Sequence, residues 1–379
     1  MDLTETRRRA AHALADILPP SGGQESGEGE RHPLSLNEFP VPGLILFALT
    51  QLRDLKHFGP LEKLRWGVSA TFRGTSFSIT LEKLGFWLYV PDGMSSDVRL
   101  ALICCLRTAA TLAEACLREV AQHQTEAGNV TIENCYHRFE RAYRFFREKA
   151  RGAYDTPPPE PVVISRDQTG RPTGWSSEPW KPQIEGGYMA GAMLDAYFSW
   201  LEHTLVLVLP FIEFEPANGA LVRFVGATWN DKWRAIFDLT ADQQAKQVYD
   251  GLRRIKETVR NPISHGGFGK NGTSFFFHVE GIGALPALLT KHGRSFEFTI
   301  TRVPHGTYEQ LCQQLDACDA FLQGSKLWAG LRYAQAELDV ALSDSFRRQC
   351  REASQSEEDL DEFIEHQSYL TDMHRNMDY

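Results

Sequence analysis

Between residues 66 and 90 the chain alternates apolar and polar side chains three times over. Val68, Ala70 and Phe72 form the first apolar series, and Phe77, Ile79 and Leu81 form the second. The run Phe86-Trp87-Leu88-Tyr89-Val90 is a third stretch rich in β-favouring residues. A period of two puts one set of side chains on one face of a strand. Arg73-Gly74-Thr75 supplies a turn between the first two runs. The simplest arrangement is an antiparallel meander.

The remaining patterned stretches have helical spacing. Leu102, Leu106, Ala109, Ala113 and Leu117 stripe one helix, and Ile132, Tyr136, Phe139, Tyr143 and Phe146 stripe a second. With the meander these predict a small N-terminal α/β domain over 36–153. Residues 1–18 have the makings of a short helix and 43–57 of another. Positions 19–35 are polar and Gly-rich, so 1–35 is expected to be a flexible N-terminal segment. The stretch 154–185, rich in Pro, Gly and Ser, is the predicted linker, and its Trp175 and Trp180 are candidates to dock on a surface.

A second, helical domain is predicted over 186–345. Its helices are expected at 188–208, at 231–237 with Asn230 as N-cap, and at 241–259 with Thr240 as N-cap. Two alternating runs, 273–279 and 295–302, predict a β-hairpin insertion around Gly281-Ile282-Gly283. Two further helices follow: Tyr308, Leu311, Leu315, Cys318 and Leu322 stripe one, and Leu327, Leu331, Ala334, Leu338 and Leu342 the other. Residues 346–379 contain Glu357-Glu358-Asp359-Leu360-Asp361-Glu362 and read as an acidic tail prone to fray. The fold class is mainly α with α+β parts.

With 379 residues, 42% hydrophobic and 23% charged, the chain has the make-up of an ordinary globular protein of two domains. Its longest unbroken apolar run, 205–212, is too short to span a bilayer. No apolar signal core follows Met1, and seven Cys without a C-x-x-C pair are expected as reduced cytoplasmic thiols. A net charge of −9 argues against a broad non-specific nucleic-acid platform and leaves room for a local basic site. Arg253, Arg254, Lys256, Arg260 and Lys270 form such a cluster.

That cluster surrounds Val259-Arg260-Asn261-Pro262-Ile263-Ser264-His265-Gly266-Gly267. A stripe of Val248, Leu252, Ile255 and Val259 leads into it, Pro262 disfavours continuing the helix, and the two Gly can end it. Arg suits a two-point grip on phosphate. His can give or take a proton near neutral pH. The alternative is that both side chains cap the helix and bond its free carbonyls.

The Arg-x4-His spacing with a polar residue after the Arg resembles the signature of HEPN ribonucleases, over about 186–345. A second such spacing, Arg118 to His123, lies inside an amphipathic helix with Glu after the Arg and is read as chance. The resemblance implies a HEPN-like helical bundle and metal-independent RNA cleavage, with no cofactor. In that reading His265 is the acid/base, Arg260 the phosphate clamp and Asn261 an orienting group. Arg253, Arg254, Lys256 and Lys270 would contact RNA. Glu202, on an upstream apolar helix, either pairs with Arg260 or is a solvated charge. His203 is expected to pack, and Trp229 or Trp233 is a minor candidate for base stacking. The resemblance further implies a homodimer whose two motifs meet, in a toxin or antiviral-defence effector with an antitoxin or trigger protein as partner. The alternative is a non-catalytic HEPN-like dimerisation or partner-binding module.

Overall fold

The computed structural model describes residues 8–9, 11–20, 29–261, 276–286 and 303–377. It is mainly helical, with an antiparallel sheet in its N-terminal region. The chain divides into two compact units, Met1–Ala127 with Glu362–Tyr379, and Gly128–Asp361.

In the first unit the strands are β1 (Ile17–Leu18), β2 (Glu30–Pro33), β3 (His57–Phe58), β4 (Leu64–Phe72), β5 (Thr75–Glu82) and β6 (Gly85–Val90). The sheet order is β1-β4-β5-β6-β2, with β3 also on β4, and every pairing is antiparallel. The expected meander is therefore present as β4-β5-β6. Arg73 and Gly74 both have positive φ, 50° and 80°, the geometry of a two-residue hairpin whose twist matches its strands. Val68, Ile79 and Leu88 stand in register across the three strands and are fully buried. Gly67 lets β3 approach β4, because a Cβ there would lie 2.1 Å from the Phe58 ring. The helix expected at 43–57 is shorter: α1 (Gly43–Phe47) continues as a π turn to Leu52, and His57–Phe58 is strand.

The apolar face of the sheet is covered by α2 (Ser96–Ala127), whose Leu102, Leu106, Ala109, Ala113 and Cys116 join the same core. By length and composition α2 could cross a membrane, with a mean hydropathy of 1.7 over its most apolar window. Polar residues intersperse α2, and its apolar stripe is buried in the same core as the sheet.

The second unit contains β7 (Thr131–Ile132), α3 (Tyr136–Asp155), β8 (Val162–Arg166), β9 (Pro172–Ser176) and α4 (Lys181–Leu207). Then come α5 (Ala220–Gly226), α6 (Trp229–Ile236) and α7 (Gln243–Ile255), the last running into a π segment, Lys256–Arg260. After β10 (Phe276–Val279) and β11 (Gly283–Pro286) follow α8 (His305–Gly324), α9 (Trp328–Gln335), β12 (Val340–Ala341) and α10 (Asp344–Ala353); α11 (Glu357–Asn376) starts in this unit and from Glu362 onward belongs to the first.

The boundary expected at 153/154 falls at 127/128, so α3 belongs to the second unit. The reason is packing. Tyr136 meets Trp200, Tyr143 meets Tyr197, and the Tyr154 ring fills the space beside Gly186, so α3 and α4 run antiparallel along their whole lengths. Asn134 ties the start of α3 down: its side chain donates to Ala334 O and Leu338 O and accepts from Tyr136 N–H. The expected linker folds locally as the β8–β9 hairpin, with Trp175 and Trp180 both more than half exposed.

The β insertion is a hairpin, β10 with β11, turning at Gly281. The second strand expected at 295–302, and positions 273–275 of the first, lie outside the described residues. The helix expected over 327–342 stops at Gln335, because Val340–Ala341 turns away to pair with Thr131–Ile132. The acidic tail is helical. Its acidic run begins α11, where carboxylates complement the helix dipole and Ser356 Oγ accepts from Asp359 N–H. Met377 O at its end accepts from Lys63 N–H at 2.8 Å.

Candidate functional site

Helix α7 is capped by Asp242, not by Thr240, its Oδ1 accepting from Ala245 N–H at 2.8 Å. Ala245, Tyr249, Leu252 and Ile255 make its buried stripe, with Val248 half-buried beside them. From Lys256 the hydrogen bonding widens by one residue, and Asn261 N–H donates to Lys256 O. Such π-wound turns recur at functional sites because the extra residue re-aims side chains.

Here the re-aimed side chains face α4. Arg260 Nε donates to Asp195 Oδ1 at 2.6 Å, and its Nη1 reaches Asn261 Oδ1 at 3.4 Å. A guanidinium has five N–H donors in a fixed fork. Those on Nη2 and one on Nη1 have no partner among the described residues. Lys256 Nζ lies over the rings of Phe198 and Trp229, 5.2 and 5.7 Å from their centroids. Burial pushes the Lys256 ammonium below the usual lysine range, Glu202 and Asp195 pull it back up, and Arg260 adds to the lowering.

Glu202 does not pair with Arg260. Its Oε2 lies 3.8 Å from Nζ of Lys232, a cation 4% exposed on α6 that burial pushes below the usual range. Asp195 and Glu202 are seven residues apart, on one face of α4. The earlier of the two meets the π segment, and the later meets α6. Two carboxylates and three cations thus alternate beside an aromatic wall.

Other expectations resolve in the same geometry. Arg253 and Arg254 are exposed, with Arg253 Nε 3.8 Å from Glu257, so they do not turn inward with Lys256. His265 and Lys270 lie outside the described residues. His203 packs, as expected: its Nε2 accepts from Cys135 N–H at 3.0 Å, and burial, then Lys232, holds its pKa down. Trp229 and Trp233 are 2% and 0% exposed, which rules them out as platforms for RNA bases. Thr228, not Asn230, caps α6, its Oγ1 accepting from Asp231 N–H.

Sequence reasoning missed Asp195 and Lys232. The signal for Asp195 was its seven-residue spacing from Glu202. Lys232 carried none, since a lysine in a first helical turn is ordinarily solvated. No protein-family model, no curated protein and no solved structure matches the chain.

Proposed function

We propose that the second unit is a metal-independent endoribonuclease of HEPN type, acting as a toxin or antiviral-defence effector in the cytoplasm. The observation that supports it best is the Arg260 guanidinium, anchored by Asp195 at a π-wound helix end with part of its donor fork unclaimed. Such a group is pre-oriented for a phosphate, since its Nε is held by Asp195 while Nη2 has no partner among the described residues.

In this reading the RNA 2′-oxygen attacks the adjacent phosphorus while His265 takes the 2′-OH proton. Arg260 offsets the charge that builds on the non-bridging oxygens. The P–O5′ bond breaks, the 5′-oxygen acquires a proton, and the products carry a 2′,3′-cyclic phosphate and a 5′-OH. Asn261 orients the clamp, and Lys256, Arg253, Arg254 and Lys270 supply local positive charge. Two copies of the motif meet in a homodimer, doubling that charge on a chain of net charge −9.

Mapping RNA ends after expression of wild type, Arg260→Ala and His265→Ala tests the proposal. Cyclic-phosphate and 5′-OH ends made by the wild type alone, also in EDTA, are expected. Folded variants that cut like the wild type would overturn it.

A second reading is a non-catalytic HEPN-like module for dimerisation or for binding an antitoxin or trigger protein. It is favoured by the internal pairing of the site, Arg260 with Asp195 and Lys232 with Glu202. A wild type without cleavage and with a stable dimer would select it.

A further inference from the structure

Helix α3 carries a second basic surface, remote in sequence from the Arg260 motif. Its sequence, YHRFERAYRFFREKARGAYD, interleaves Arg and aromatic residues. Tyr136, Tyr143, Ala150 and Tyr154 turn inward and are buried. On the opposite side Arg138, Arg141, Phe145 and Lys149 are exposed, at spacings of three, four and four. On an ideal helix these four fall within a stripe about 80° wide and about 16 Å long.

Two of the helix's other cations are committed. Arg144 forms a two-point contact with Glu140, and Arg147 grips Asp316 at 2.6 Å. The stripe differs. Arg138, Arg141 and Lys149 pair with no carboxylate among the described residues. Arg141 Nε does bond the His137 carbonyl. Phe145 is 52% exposed, its ring packed edge-on against Phe146 and 5.6 Å from Lys149 Nζ. Glu148 lies on the edge of the stripe as its one acidic neighbour on the helix.

An isolated helix bearing so many cations costs repulsion energy unless anions accompany it. On a chain of net charge −9 the concentration of unpaired positive charge here is a local exception. We infer that the exposed face of α3, Arg138, Arg141, Phe145 and Lys149, binds single-stranded RNA. The cations track its phosphates, and the Phe145 ring offers a base a stacking platform. A single aromatic among regularly spaced cations fits a polyanion with flat bases; a lipid surface calls for a broad apolar face, which this helix turns inward. The choice of RNA over another single strand rests on the ribonuclease reading, and the binding itself does not.

The test is fluorescence anisotropy with the full chain and a fluorescent, uncleavable 2′-O-methyl RNA of mixed sequence. The arms are wild type, Arg138→Glu/Arg141→Glu/Lys149→Glu, Phe145→Ala and Arg260→Ala, each first shown to melt like the wild type. Expected are salt-dependent wild-type binding, a loss of at least about tenfold in the triple variant, and a salt slope smaller by about 2, the share of three phosphates on a single strand. Phe145→Ala should weaken binding with the salt slope unchanged. Triple-variant binding equal to wild type, or no binding by the wild type, overturns the inference. So does binding to phosphatidylserine vesicles, and not to RNA, that the triple variant loses. A wild type that binds through α3 yet leaves ordinary RNA uncut ends the ribonuclease reading and keeps this one.

Discussion

Arg260 and Asp195 stand 65 residues apart in sequence and 2.6 Å apart in space, joined Nε to Oδ1 where a π-wound helix end meets α4. Both side chains are partly exposed, 27% and 47%, so the pair fixes a direction more than it stabilises the fold. Exposed pairs of this kind contribute about 0.2–1 kcal/mol. What Asp195 decides is which way the remaining donors of the guanidinium point.

Asp195→Ala is therefore expected to leave stability within about 1 kcal/mol of wild type and, if the proposed ribonuclease reading holds, to lower RNA cleavage. On the proposed ribonuclease reading Asp195 is a positioning residue, acting through Arg260. Its loss should reduce kcat more than it raises KM, and Asp195→Glu should restore part of the rate. An Asp195→Ala enzyme with unchanged kcat would show that Arg260 needs no such anchor.

Lys232 and Glu202 make a different kind of pair. Lys232 is almost wholly covered, and Glu202 is about a third exposed. Removing the carboxylate leaves a cation in an apolar setting, whereas replacing the cation by an apolar chain of similar length does not. Glu202→Ala should cost on the order of 1–2 kcal/mol, less than a fully buried pair because water reaches Glu202. Lys232→Met should be near neutral. Urea midpoints of the two variants check the asymmetry, and equal losses would contradict it.

How much of this was legible in the sequence follows from what periodicity encodes. A period of two gave β4, β5 and β6, because each strand buries one face. Stripes found α3, α7 and α8 for the same reason. A stripe reports that a face is buried and is silent on its partner, so the pattern of α3 does not show that Tyr143 meets Tyr197 of the second unit. Two-residue strands such as Val340–Ala341 and Thr131–Ile132 have too few residues to show a period, and they join segments some 200 positions apart. At the candidate site, Asp195 and Glu202 share a face, and the helix pattern alone cannot rank them for Arg260. The π turn does so, and a widened turn leaves no mark in composition.

Gly186 carries a packing prediction. A Cβ at this position would lie 2.6 Å from the Tyr154 ring, whose hydroxyl bonds the Val303 carbonyl and whose face stacks on His305. The ring is held from several sides and cannot swing away freely. Gly186→Ala should destabilise by about 1–3 kcal/mol, as overpacking does, despite alanine's better helix propensity. Gly152→Ala, also helical and with open space around its Cβ, is the control and should be neutral or stabilising. Thermal melts of both separate packing from propensity.

The last prediction concerns pH. Asp319 on α8 accepts from Tyr197 Oη at 2.8 Å beside a small cavity of about 50 Å3 that Trp200, Glu140 and Arg144 also line. Burial raises its carboxyl from 3.8 to about 6; Asp316 adds to the rise, and Tyr197, Arg144 and Arg147 oppose it. The folded state therefore holds this proton more tightly than the unfolded chain does. Where the folded state binds the extra proton, stability falls as pH increases. The favourable contribution is complete below about pH 4 and is lost as pH rises through about 6, leaving an ionised, partly buried carboxylate at neutral pH. Asp319→Asn keeps an acceptor for Tyr197 without the charge. It should stabilise the protein by on the order of 2 kcal/mol at pH 7.5 and by little at pH 4. The salt-bridged Asp316 is shifted the opposite way by Arg147, so the wild type alone shows a mixture of both titrations. The difference between wild type and Asp319→Asn isolates the one group. Urea unfolding of both proteins from pH 4 to 7.5 measures it, and a stability difference that stays flat across that range would mean that Asp319 titrates in the fold as it does in water.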